Sequence, residues 1–319
     1  MSTLDEIWLM TSVARLYFEK KLSQSQIAEQ MDLSQATISR LIKHAKEKQI
    51  VRTVVTVPSG VYTDLEEALK ERFNLKNAIV ADCEDQSDDE IFRSIGSAAA
   101  YYLETTVKNG DVIGISSWSS SLLAMVNAMN SVKAIKNTQV VQILGGLGNP
   151  AAEVHANHLT RRLAELIRGK AIFLPAPGVA DSVEMKNMIL QDHFVNQAVE
   201  KFNSVTLALV GIGALEPSRL LASSGNRFTP KELEELQKMG AVGDICLRFF
   251  DMNGVPINSV FNERVISMPL EKLKEVKRCV GVAGGKRKYD AIRAALNGKW
   301  INVLVTDRYT AKHIINNET

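Results

Sequence analysis

Apolar positions near the start of the chain recur at helical spacing in two short stretches separated by a three-residue turn. Ile27, Ala28 and Met31 give the first stretch a compact inner face, and Ser23 with Gln26 three residues on has the pattern of a capping box. Ile38, Leu41, Ile42 and Ala45 give the second its buried side, with Ser34 as cap and Leu33 as the apolar anchor of the turn at 32–34. This predicts a helix, a tight turn and a second helix. A further helix is expected over 5–19, its Val13, Ala14 and Tyr17 packing beneath the other two and Trp8 and Phe18 joining that small core. The β-branched run 51–57 ends at Pro58 and Gly60 and predicts a short strand or wing at the domain edge.

From residue 61 the pattern changes. Residues 61–74 have a helical rhythm, 79–81 are strand-like, and 82–90 form an acidic run of the kind found in solvated loops. Short apolar runs follow at 112–116, 140–144, 171–174, 204–210, 265–268, 277–282 and 301–305. Helical patterns at 122–129, 153–167, 231–239 and 289–296 lie between them. Apolar strands separated by helices predict an α/β domain on a largely parallel sheet, whose ligands favour loops beyond the strand carboxyl ends. The expected division is a helix-turn-helix domain over 1–60 and a ligand-binding and oligomerisation domain over 61–319.

Charge sharpens the reading of the first domain. The 319-residue chain carries a formal net charge of only +2, so affinity for nucleic acid must come from a local basic surface. Arg40, Lys43, Lys46, Lys48 and Arg52 cluster against the single acid Glu47. Gln35, Thr37, Ser39, Arg40 and Lys43 fall on the more exposed sides of the second helix. Their amides and hydroxyls suit base edges, the arginine suits guanine or phosphate, and the lysine suits phosphate. Arg52, at the start of the wing, is placed for the phosphate backbone. Cys83, Cys246 and Cys279 are too few and too distant for a disulfide framework and read as core thiols. No apolar run has the length and uniformity of a membrane helix, so a soluble cytoplasmic protein is expected.

A ligand site is suggested where a strand passes into a helix at Ser116, Ser117, Trp118, Ser119, Ser120 and Ser121. Hydroxyls and helix-terminal amides there can bind a phosphate or a polyol, or the serines can simply cap a turn. The run lacks the order of a nucleotide-binding P-loop, and Gly211-Ile212-Gly213 is too short for a dinucleotide fingerprint. The polar loops 240–244 and 284–288 can complete the pocket, with Asp244 accepting from sugar hydroxyls and a lysine meeting a phosphate or carboxylate. Lys286 and Arg287 equally suit surface roles, and Asp307 either caps the last helix or lines the same face. His155 and His158 share a helical face without a metal signature, and no Ser-His-Asp order emerges. The polar constellation reads as recognition rather than hydrolysis, with no cofactor or metal. The competing reading is a phosphosugar-processing enzyme with a nucleic-acid-binding appendage.

The whole chain resembles the SorC family of bacterial sugar-responsive transcriptional regulators. The resemblance rests on LSQSQIAEQMDLSQATISRLIKHAKEKQIVR at 22–52, QILGGLGN at 142–149, LPAPG at 174–178, GAVGDICLRFFD at 240–251, VAGGKRKYDAIRAAL at 282–296 and LVTD at 304–307. It implies an N-terminal winged helix-turn-helix joined to a Rossmann-like, phosphosugar-isomerase-like effector domain. It also implies operator DNA as a partner, an oligomer that is commonly tetrameric, and control by a sugar, polyol or sugar phosphate. By motif, the strand-to-helix turn at 116–121, Asp244 and Lys288 align with ligand-contacting regions of the family. Many relatives carry a glycine-arginine-threonine-like ending after the tryptophan where this chain has Ser119, Ser120 and Ser121, which leaves room for an unphosphorylated ligand.

Overall fold

The computed structural model describes residues 3–48, 50–51, 60–132, 135–148, 150–217, 219–225 and 228–316, with the side chains of 3–5, 150–156 and 219–220 excepted. The chain divides into two compact units, Met1–Pro58 and Ser59–Thr319.

The described residues of the first unit are mainly helical. Helix Thr3–Ala14 continues into a wider helical turn at Arg15–Glu19, and helices Gln24–Met31 and Gln35–Glu47 follow. Ser23 accepts from the Gln26 amide while the Gln26 side chain accepts from the Ser23 amide, a complete capping box. Asp32 ends that helix in the left-handed region at φ 52°, and Ser34 starts the next by accepting from the Thr37 amide at 3.1 Å. Met10, Val13, Ala14, Ile27, Ile38, Leu41, Ile42 and Ala45 interlock as the buried core, with Leu33 and Phe18 packed on it. Trp8 does not join them: it is 66% exposed. The wing expected at 51–57 lies, beyond Val51, outside the described residues, and so does Arg52.

Among its described residues the second unit carries ten strands: β1 Asn77–Ala81, β2 Val112–Ile115, β3 Gln139–Gln142, β4 Lys170–Ile172, β5 Leu207–Val210, β6 Gly213–Ala214, β7 Gly243–Ile245, β8 Arg248–Phe250, β9 Arg278–Val282 and β10 Val303–Asp307. Seven form a sheet in the order β1-β10-β9-β5-β2-β3-β4, and every pairing in it is parallel. Alternate side chains enter two cores on opposite faces. Leu207, Leu209, Val280, Val282, Val303 and Val305 join one, while Ala208, Val210, Cys279 and Leu304 join the other.

Helices Asp88–Thr106 and Ser120–Ala128 cover the first face, which explains the nearly continuous apolar strands. Gly96 allows their close approach, because a Cβ there would lie 2.8 Å from the Ala124 carbonyl carbon and 2.9 Å from the Met125 nitrogen.

Two expectations are corrected. Residues 265–268 are buried and apolar, as a core strand would be, yet they form only isolated bridges, Val265 with Val179 and Ser267 with Leu144. Their backbone groups bond to loops beyond strand ends, for example Gly145 N–H to Ile266 O at 3.0 Å, so burial mimics the strand signal without a ladder. The loop expected at 240–244 is partly strand: β6, β7 and β8 make a small antiparallel sheet of their own.

Gly96→Val would push two methyl groups against backbone that has no room to yield. The expected loss of stability is ~2 kcal/mol, read from urea unfolding of the full chain, whereas an unchanged midpoint would show that the helix crossing has slack.

Candidate functional site

The strand order reverses beside β2. The chain runs from β2 through β3 to β4 on one side, then returns to β5 on the other, so the loops leaving β2 and β5 diverge. A crevice at such a reversal is where open parallel sheets hold ligands. Here it is a pocket of about 700 Å³ including the space open to solvent.

Ser116, Ser117, Trp118, Ser119 and Ser120 line it from β2, and Asp244 and Lys288 line it from β7 and the segment after β9. Ser120 and Asp244 are more than a hundred positions apart in sequence, Lys288 lies further still along the chain, and the topology brings the three together. Ser121 is not part of the lining; it is buried on the first turn of the helix Ser120–Ala128. Ser119 caps that helix, accepting from the Leu122 amide at 3.3 Å. Ser117 is committed to the scaffold: it donates to Leu144 O and accepts from Gln142 Nε2, each at 3.0 Å.

Asp244 and Lys288 carry the distinctive electrostatics. Burial disfavours the charged carboxylate and pushes Asp244 up to about 6, partly opposed by the Leu247 N–H it accepts at 2.8 Å and by the charge of Lys288. Burial likewise lowers Lys288 to about 8, opposed chiefly by Asp244. The two attract each other across the cavity, yet theirs is not among the ion pairs within 4.0 Å of the described residues. Each therefore keeps hydrogen-bonding capacity directed at the pocket. The Lys288 ammonium also sits 5.7 Å from the centre of the Phe92 ring. Arg287 is engaged differently, pairing with Asp88 at 3.0 Å and Glu216 at 3.4 Å.

Backbone strain concentrates at this pocket. Trp118, Cys246 and Leu247 line it with φ of 62°, 54° and 63°. Cys246 and Leu247 are the two residues joining β7 to β8, a position that normally selects asparagine or glycine. The Asp244 carboxylate secures this turn through the Leu247 amide. Gly211 and Gly213 leave space that the pocket needs: a Cβ on Gly211 would lie 2.5 Å from Ser119 Oγ, and one on Gly213 would collide with Asp244 Oδ1. Phe92, Glu216 and Leu221 also line the pocket. Nothing in their sequence context marks them, because each reaches the pocket from a helix or loop away from the polar motifs.

Asp307 resolves to one of its two expected roles. It is fully buried and accepts from the Gly285 and Thr310 amides at 2.9 Å each, capping the final helix and fixing the loop that carries Lys288. The thiols are buried, which pushes Cys83 up to about 11 and Cys279 up to about 12. Cys246, although it lines the pocket, is shifted upward as well.

In the first unit, Gln35, Ser39, Arg40 and Lys43 are exposed on one side of helix Gln35–Glu47, opposite Ile38, Leu41, Ile42 and Ala45. Thr37 is half-buried and shares its hydroxyl with the cap, 2.8 Å from Ser34 Oγ. Lys43 reaches Glu47 at 3.8 Å in an exposed contact that costs little to break.

A helix-turn-helix unit and an α/β unit with a polar switch-point pocket define a ligand-responsive DNA-binding protein. Comparison with known proteins agrees. The Sugar-bind family model, of a domain described as sugar-binding, matches residues 58–316, and the model for Sigma-70, region 4, matches residues 11–48. The chain is 34% identical over 308 residues to the deoxyribonucleoside regulator of Bacillus subtilis, covering 97% of each. It is 31% identical over 317 residues to the sorbitol operon regulator of Klebsiella pneumoniae, covering 99% of this chain and 100% of that one. The crystal structure of the full-length Klebsiella pneumoniae regulator SorC superposes with a TM-score of 0.73 at 30% identity, covering 98% of this chain and 99% of that one. The chain belongs to the SorC/DeoR-like family of sugar-responsive transcriptional regulators. It is accordingly a DNA-binding transcriptional regulator and not an enzyme. No helix among the described residues is long and apolar enough to cross a membrane.

The raised proton affinity of Asp244 makes a stability test possible. The folded chain binds this proton more tightly than the unfolded chain, so folding gains as pH falls from about 6 towards the ordinary 3.8. The gain is up to ~3 kcal/mol. Asp244→Asn keeps an acceptor for the Leu247 amide but removes the titration. Its stability relative to the unsubstituted protein, measured by urea unfolding, should be highest above pH 6 and fall towards pH 4. A difference that stays flat with pH would contradict a carboxylate held away from water.

Proposed function

We propose that this protein is an operator-binding repressor that is released when a sugar, polyol or sugar phosphate enters the switch-point pocket. The observation that carries the reading is the juxtaposition of Asp244 and Lys288 in one cavity without a mutual ion pair. A carboxylate, an ammonium and several serine hydroxyls can together satisfy a compound rich in hydroxyl groups. Ser116, Ser119, Ser120 and the Trp118 turn supply the opposite wall. Arg287 is already paired with two acids, so Lys288 and the start of helix Ser120–Ala128 are the groups available to a phosphate. The relatives named for a deoxyribonucleoside and for sorbitol are consistent with a polyhydroxylated ligand of either kind.

Gln35, Ser39 and Thr37 read base edges in a major groove, while Arg40, Lys43 and Arg52 hold phosphates. A homo-oligomer, a dimer or a tetramer, presents such helices in pairs to successive turns of DNA. The ligand acts through the wall of its pocket. Arg287 pairs with Asp88 at one end of the acidic loop, and Asp82 at the other end accepts from Tyr62 at 2.7 Å and pairs with Arg308 at 3.0 Å. A ligand held by Lys288 lies next to the Arg287–Asp88 pair at the start of helix Asp88–Thr106, which residues 83–87 link along the chain to Asp82 and Tyr62.

The test is binding to labelled DNA from the promoter beside the gene across a panel of free and phosphorylated sugars and polyols. One compound is expected to weaken specific binding, with Asp244→Ala and Lys288→Ala abolishing the response but retaining DNA affinity. Its affinity should be greatest between about 6 and about 8, where Asp244 is ionised and Lys288 protonated. Arg40→Ala and Lys43→Ala should weaken binding to all sequences and each reduce the salt slope by ~1, whereas Gln35→Ala should change sequence preference. Specific DNA binding with both pocket variants fully responsive would refute the pocket assignment, and equal losses on all sequences for every helix variant would refute the division of roles.

A further inference from the structure

The edge of the sheet that bears the ligand pocket is also where the chain enters the second unit. Strands β1 and β10 pair so that Ala81 stands opposite Asp307, and the next residue beyond each is charged, Asp82 after β1 and Arg308 after β10. Parallel strands leave a sheet at the same edge, so this register brings the two side chains together, 3.0 Å apart. Tyr62 completes the cluster. Its hydroxyl donates to Asp82 Oδ1 at 2.7 Å and accepts from Arg308 at 2.9 Å.

Tyr62 is the N-cap residue of helix Thr63–Phe73, and its carbonyl accepts from the Glu66 amide at 3.0 Å. Two residues earlier, Gly60 turns at φ 84° against the same carboxylate, where a Cβ would lie 3.2 Å from Asp82 Oδ2. Gly60 is the first described residue of the second unit. The chain arriving from the DNA-reading unit is therefore held at Asp82, and Arg308 is the cation that pairs with Asp82. Both members of the pair are partly exposed, and such pairs add little to stability, so this one can form and break without disturbing the fold.

Arg308 is fixed from the other direction by the loop that carries Lys288. Asp307, its neighbour in sequence, is fully buried and accepts from the Gly285 amide at 2.9 Å, as does the Thr310 hydroxyl. Gly285 in turn accepts from the Lys288 amide at 2.9 Å. A second link runs over the surface: Arg308 also donates to the Tyr309 hydroxyl at 2.8 Å, and Tyr309 lines an open groove with Tyr289, the residue after Lys288. We propose that Arg308 is the positioning residue through which the Lys288 loop sets the junction at 60–62, so that a ligand drawn onto Lys288 alters the hold on the chain leading to the DNA-reading helices. The proposal rests on the pocket reading above and gives that pocket its regulatory connection. The path is rigid where Asp307 and Thr310 are buried and breakable where Arg308 meets Asp82 and Tyr62, and contiguous networks of this kind carry coupling between sites.

Two measurements on the full chain test it. Hydrogen exchange without any added ligand reads the junction directly: Arg308→Met removes the cation, and Tyr62→Phe removes only the bridging hydroxyl. Each should speed exchange at the amides of 63–66 by roughly tenfold, the loss expected of a hydrogen bond to a charged group, and leave the Gly285 and Thr310 amides unchanged. The second measurement is operator binding with D-sorbitol, D-ribose, deoxyribose and their monophosphates as probes. A probe that weakens operator binding by the roughly 5- to 150-fold typical of coupled sites should change it by a factor of about one in Arg308→Met, while its own affinity, read by calorimetry, is retained. Arg308→Met combined with Asp82→Asn should lose no more response than either alone, because both remove one contact. Unchanged exchange at 63–66 in both single variants would overturn the proposal, and so would a full response in Arg308→Met or a loss of probe affinity there. If no probe alters operator binding by the unsubstituted protein, the pocket reading fails for these compounds and exchange at 63–66 alone decides whether Arg308 holds the junction.

Discussion

Keeping Asp244 out of water is the constraint on which the pocket depends. A buried carboxylate is costly unless its surroundings answer it, and here three separate features do so. Gly213 lacks the side chain that would collide with it, the Leu247 amide donates to it, and Lys288 faces it across the cavity. The left-handed pair Cys246 and Leu247 is the backbone consequence, because the tight turn between β7 and β8 is what brings the Leu247 amide onto the carboxylate. Strain and desolvation thus meet at the same few residues, as expected where a structure is held ready for a ligand.

The large sheet makes this arrangement possible without itself supplying the charges. Its reversal beside β2 opens the cavity, the serine turn closes one wall, and the small β6-β7-β8 sheet supplies the other. Asp307 secures the Lys288 loop from below through Gly285, with Gly284 leaving room for its carboxylate. Polar groups that look interchangeable in the sequence therefore divide into those that hold the scaffold, such as Ser117, Gln142 and Asp307, and those left facing the cavity, Asp244 and Lys288.

Much of this was legible in the sequence because its signals are local. The capping residues Ser23 and Ser34, the buried stripe Ile38, Leu41, Ile42 and Ala45, and the strand-to-helix run at 116–121 each carry their own pattern. Asp244 and Lys288 could be marked by motif, although their proximity comes only from the fold. Phe92 and Glu216 were not legible, because long-range packing alone places them at the pocket. The β6-β7-β8 hairpin was hidden by its turn, where Cys246 and Leu247 occupy positions that asparagine or glycine usually announces. Residues 265–268 misled in the opposite direction, since complete burial gave them the composition of a strand whose backbone partners lie in loops.

A protein with separate DNA-reading and ligand-binding units is a regulator only to the extent that the two sites share free energy. The most direct measurement is a titration of the effector by calorimetry with and without saturating operator DNA, set beside operator affinity with and without effector. Because binding linkage is reciprocal, the account requires operator to weaken effector binding by the same factor by which effector weakens operator binding. Equal, non-unity factors that both vanish in Asp244→Ala are the expected result. Effector affinity indifferent to operator would contradict the account, however tightly each ligand binds alone.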